Sequence, residues 1–158
     1  MDNAEAARVV YEAAVRAAGD QAAVLDELRV RAGTVLAAAA LVSSFLGGQA
    51  LRSADHLRVL SFVGLAVGSF VLVALLALAI LWPFDFRFSL SPRAMLEALG
   101  EHDGAPSSAE FFRVLALQLE WRYVQNRRKI RPLLWAFELG ILCLVIEVAA
   151  WLVVLGRQ

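Results

Sequence analysis

LLWAFELGILCLVIEVAAWLVVL, residues 133–155, decides how this chain is read. It is 23 residues long with only Glu138 and Glu147 charged. A helix of about 20 apolar residues is what a bilayer crossing takes. Two further runs match it and carry no charge at all: AGTVLAAAALVSSFLGGQAL at 32–51 and VLSFVGLAVGSFVLVALLALAILW at 59–82. The remainder of the 158 residues agrees, with 60% hydrophobic and 19% charged residues and a mean hydropathy of +0.65. Soluble domains run nearer 45–50% apolar and about 25% charged. The expected fold class is therefore all-α, an integral membrane protein with three transmembrane helices and cytoplasmic helical extensions.

The remaining composition excludes several classes. Fifteen basic and fifteen acidic residues cancel, which disfavours a nucleic-acid partner. A single cysteine, Cys143, with His56 and His102, supplies neither a disulfide nor a zinc cage, so no metal or other cofactor is expected. No phosphate loop, HExxH helix, nucleophile elbow or kinase set occurs, and the chain is read as a non-enzyme.

Basic residues set the orientation. Arg8, Arg16, Arg29 and Arg31 precede the first run, and Arg87, Arg93, Arg113, Arg122, Arg127, Arg128, Lys129 and Arg131 lie between the second and third. Only Arg52, Arg58 and Arg157 fall on the other side. Twelve against three places the N-terminus in the cytoplasm and the C-terminus outside.

The polar first 31 residues do not match a cleavable leader. They read as an Ala-rich N-terminal helix, with Gly19 its one flaw, running into the run at 32–51. Trp82-Pro83 ends the second run. Residues 83–132 then form a cytoplasmic excursion: an extended interfacial segment over Phe84–Phe88, a short helix from Ser91 to Leu99, and a helix over 107–131. Ser107 and Glu110 have capping-box spacing at the start of that last helix. Pro132 either kinks one continuous helix or starts a new one.

Glu147 is the most informative residue. It stands fourteen positions into the third run, about 21 Å along a helix, deep in a hydrocarbon layer of about 30 Å. Carboxyls at such depth face protein or a water path. No Lys or Arg lies within any of the three runs to meet it. Two roles stand open: a protonated carboxyl bonded in helix packing, with Ser43, Ser44, Ser61 or Ser69 as partner, or a pore-lining carboxylate. The expectation is that it faces protein, foremost a neighbouring subunit. Glu138, nine residues earlier, falls on nearly the opposite helix face and is placed near the headgroups, toward Arg128 or Arg131. Gly64 and Gly68 in the second run, and Ala40, Ser44 and Gly48 in the first, have the small-residue spacing that lets helices approach closely. They are expected to pack the first two spans together in preference to joining copies. Arg127, Arg128, Lys129 and Arg131 act as a topology signal and as contacts for anionic lipid headgroups.

Leu25-Asp26-Glu27-Leu28-Arg29 directly before Ala32-Gly33-Thr34-Val35-Leu36, a Pro-containing exit from the second span, and Asn126-Arg127-Arg128-Lys129 leading into the third form a familiar layout. It resembles the membrane module of Pycsar transmembrane effectors and SLATT-type proteins of bacterial defence systems, over nearly the whole chain. The resemblance implies a homo-oligomerising inner-membrane effector of an antiphage system that impairs membrane integrity on activation. It implies as trigger a cyclic nucleotide or a nucleotide-sensing partner. A non-catalytic scaffold recruiting a soluble partner and a small ion-channel subunit are the alternatives.

Overall fold

The computed structural model describes residues 2–50, 57–83, 86 and 107–156. Over these residues it is all-helical, with three helices: α1 (Asn3–Ala50), α2 (Leu57–Leu81) and α3 (Ser108–Gly156). Each is long and apolar enough to cross a membrane. The expected short helix from Ser91 to Leu99, and all of the 84–88 segment except Phe86, lie outside the described residues, as do Arg52, His56 and Arg157.

α1 runs unbroken for 48 residues. Its polar half is supported by i,i+4 ion pairs, Arg8 to Glu12 at 2.9 Å, Arg16 to Glu12 at 3.8 Å, and Arg31 to Glu27; each exposed pair adds only about 0.3–0.5 kcal/mol. In its apolar half the hydroxyls of Thr34 and Ser44 donate to the carbonyls of Val30 and Ala40, at 3.0 and 2.7 Å. That is how an outward hydroxyl is satisfied without water. α3 opens with the Ser107 side chain accepting from the Glu110 amide at 3.3 Å, as the capping-box spacing implies. It then passes through Pro132 as one continuous helix, at the loss of one backbone bond.

The chain forms two compact units. Unit 1 comprises residues 1–26 and 84–131. There α1 and α3 run side by side in the same direction: the rings of Tyr11 and Phe112 lie 5.6 Å apart, and ten residues on, Gln21 Nε2 donates to the Tyr123 carbonyl at 3.2 Å. Leu115 and Leu119 are buried against Tyr11, Ala14 and Phe111. The apolar edges of the two polar helices therefore meet.

Unit 2 comprises residues 27–83 and 132–158. It is a three-helix bundle in which α1 and α3 are again parallel and α2 runs against them. Ala66 packs with Val42, Leu46, Ala150, Trp151 and Val154; one layer on, Val73 packs with Ala39, Val35 and Cys143. Ala39, Ala66, Ala77 and Ala150 are buried beside Val73, Ile80, Trp151 and Val154, while many other large apolar side chains face outward. Leu41 is 72% exposed and Phe45 69%, with Leu75, Leu142, Val145 and Leu152 each above half. In water such a surface would drive aggregation; in lipid it is the solvated face.

Within unit 2, burial along α3 recurs every seven residues, at Leu133, Gly140, Glu147 and Val154, and along α1 at Ala32 and Ala39. Within unit 1 the same spacing separates Leu119 from Asn126 and Ala18 from Leu25. This is the 3.5-residue period of coiled-coil packing, in which a polar residue on the seam specifies register.

Candidate functional site: a sealed carboxyl in unit 2

Glu147 lies on the α3 seam and is completely buried within the chain, at 0% exposure. Its Oε1 accepts a 2.6 Å hydrogen bond from Ser43 Oγ of α1. Its Oε2 is buried with no hydrogen-bond partner among the described residues. Ser43 was among the hydroxyls that the sequence offers, but the neighbouring subunit is corrected. The parallel seam brings α1 close enough for one chain to provide the partner, so Glu147 faces its own interior.

One turn further along α3, Trp151 is 2% exposed. A Cβ at Gly47 would stand 3.2 Å from the indole ring, so this glycine is the seat into which the ring fits. Only hydrogen at position 47 leaves the ring its place without displacement. The indole Nε1 is also buried without a partner among the described residues. α2 adds Ser69, which is buried between Ala66 and Val73. The bundle thus encloses two unsatisfied polar atoms, each costly in a medium without water.

Glu138 is exposed while Glu147 is buried, in keeping with opposite faces of α3. The small-residue expectation is corrected. Gly64, Gly68, Gly48 and Ser44 are exposed and Ala40 is half-buried. Among the described residues no atom lies within 4 Å of a Cβ built on any of the three glycines. The close approach uses Gly47 instead, and it joins α1 to α3, not α1 to α2. Arg127, Arg128, Lys129 and Arg131 are all exposed, consistent with solvent or headgroup contact.

Unit 1 holds a different feature, an open cavity of about 890 Å³ between α1 and α3, walled by Asn3, Val10, Ala17, Glu110, Arg113 and Tyr123 among others. Its volume is in the range of small-molecule sites. Glu110 and Glu120 face it together with Arg113, so its charge does not favour an anion. A smaller neighbouring cavity, about 370 Å³, shares Ala17 and Tyr123 and is walled by Gln21. Gln21 Oε1 is buried and unpartnered among the described residues.

Among the described residues no group of three His, Cys, Asp or Glu side chains could hold a metal. No family model matches this chain, and neither a curated protein nor a solved structure does. The chemistry open to the site is therefore what its own groups allow. A carboxyl held by one hydroxyl can lock helix register. It can also ionise if the helices part and water enters.

Proposed function

We propose that this chain is a multi-pass inner-membrane effector of a bacterial defence system, whose resting bundle seals Glu147 and whose activation exposes it and impairs the membrane. The N-terminus and unit 1 lie in the cytoplasm in this reading. The observation that carries it is the packing of unit 2: Leu41, Phe45, Leu75, Leu142, Val145 and Leu152 face outward, while Ser69 and Glu147 are buried inside, Glu147 held by half-buried Ser43. Lipid solvates the first, and a polar interior is the starting material for a conducting path. The resemblance to Pycsar and SLATT-type modules points the same way.

Unit 1 receives the signal. The two carboxylates beside Arg113 in its cavity disfavour direct capture of an anionic nucleotide and support a nucleotide-sensing partner as the trigger. A scaffold role draws on one specific observation, the exposed apolar face of α3 in unit 1, where Leu117 and Trp121 are 57% and 63% exposed.

The test is inducible expression in a bacterium loaded with a membrane-potential dye, with a cyclic-nucleotide-producing enzyme and its sensor present or absent. The effector reading expects polarised cells without the signal and depolarised cells with it. Steady potential in both conditions, with the protein inserted, would favour the scaffold.

A further inference from the structure

The charged part of α3 carries an apolar stripe that nothing in the described chain covers. Leu117 is 57% exposed, Trp121 63% and Val124 44%, and half-buried Val114 begins the series. The spacings are three, four and three residues, which is a coiled-coil seam, and Val114, Leu117, Gln118, Trp121 and Arg122 line a shallow hollow there. This stripe is separate from the buried face of Leu115 and Leu119, which is already occupied by α1.

Lipid is a poor occupant. The 107–131 stretch carries Glu110, Arg113, Glu120, Arg122, Arg127, Arg128, Lys129 and Arg131, too many charges for hydrocarbon to surround it. Water is poor too, since contiguous exposed aromatic and aliphatic surface on a polar helix marks a protein contact. A seam with period 3.5 calls for another helix.

We propose that this stripe is where two copies of the chain meet, α3 beside α3, parallel and in register. The inference rests on the membrane reading above, in which every copy is inserted the same way, so identical helices meet parallel. Charge agrees with that geometry. Taking Val114 and Trp121 as a positions and Leu117 and Val124 as d positions, one flank presents Arg113, Glu120 and Arg127, and the other presents Gln118 and Gln125. A parallel pair sets Arg113 opposite the partner copy's glutamine at 118, and Glu120 opposite its glutamine at 125. Charge meets neutral amide on both sides and no like charges oppose. The antiparallel pairing that would match Leu117 with Trp121, and Val114 with Val124, sets Glu120 against Glu120 and Arg113 against Arg127. The flanking residues therefore select the parallel arrangement, and the stripe is self-complementary as a two-fold contact requires.

The test uses the full chain in native membranes, with Cys143→Ser removing the buried native thiol. Leu117→Cys and Val124→Cys are oxidised separately, beside Ala23→Cys, exposed on α1 and outside the stripe. Both stripe variants are expected to run mainly as disulfide-linked homodimers, and the control as monomer. Positions 117 and 124 are about 10 Å apart along the helix, so an antiparallel contact could join identical residues at only one of them. Cross-linking at one position alone, at neither, or equally at Ala23 would overturn the proposal, as would cross-linking to a different protein. In detergent, Leu117→Glu with Trp121→Glu is expected to reduce the wild-type oligomer to monomer with helix content retained. An unchanged particle size, or a wild type that is already monomeric, also overturns it. Release of the wild-type chain by alkaline carbonate would instead overturn the membrane reading, and with it the reason for parallel pairing.

Discussion

Replacing Leu115 and Leu119 with Asp is expected to open unit 1. Both side chains are buried, at 2% and 4% exposure, against Tyr11, Ala14 and Phe111. They belong to a contact between two helices, with no third helix among the described residues of that unit to compensate. A charge buried without a partner costs about 3–5 kcal/mol, so even one substitution raises the open population by about 10²–10⁴-fold. Hydrogen exchange over residues 107–131 should rise toward that of a free helix, and trypsin should cut at Arg113 and Arg122. The bundle of unit 2 has its own core and should keep its protection. In the proposed function the variant is also deaf to its signal, because the sensing unit has come apart. Unchanged exchange in 107–131 would mean that the contact between the polar helices adds little to the fold.

Trp151→Ala is expected to break the seal around Glu147. Trp151 is the largest of the fully buried side chains and fills the space against Gly47, Ala66 and Val154. Truncating a buried Trp costs about 3–5 kcal/mol and leaves a cavity. That cavity lies on the same face of α3, one turn from a carboxyl oxygen with no partner. Polar, roomy sites take up water. Cells should therefore depolarise on induction even without the activating signal. Trp151→Phe, which keeps most of the ring volume and removes the unsatisfied indole N–H, should stay silent. If Trp151→Ala is inserted and equally silent, the ring does not guard the carboxyl.

The helices themselves were legible because their causes are local. Charge-free runs of bilayer length, an Ala-rich leading segment without proline, and Ser107 capping the Glu110 amide are all visible in single stretches of sequence. Pro132 was ambiguous for a physical reason: a proline costs one backbone bond, and burial on either side of it decides whether the helix continues. Leu133 and Ile130 are both buried, and the helix continues.

The site was legible only in part. Depth and the lack of any cation singled out Glu147 and limited its partners to a few hydroxyls, Ser43 among them. The parallel seam of unit 2 itself was hidden, because Leu133, Gly140, Glu147 and Val154 share no hydrophobic signature. Gly140 and Glu147 occupy seam positions by shape and hydrogen bonding. The same cause misled the reading of the small residues. Gly64 and Gly68 have the spacing of a packing motif yet face outward, while Gly47 has no motif and takes the closest contact.

The measurement that bears most directly on the central claim compares wild type with Glu147→Gln in the depolarisation assay, at equal membrane insertion and with the activating signal present. Glutamine keeps the size of the side chain and an acceptor for Ser43 Oγ, so the resting bundle should be unchanged, but it cannot ionise. Wild-type cells are predicted to lose their membrane potential, and Glu147→Gln cells to keep it. Depolarisation by Glu147→Gln to the wild-type extent would contradict the account, because the sealed carboxyl would then have no part in impairing the membrane.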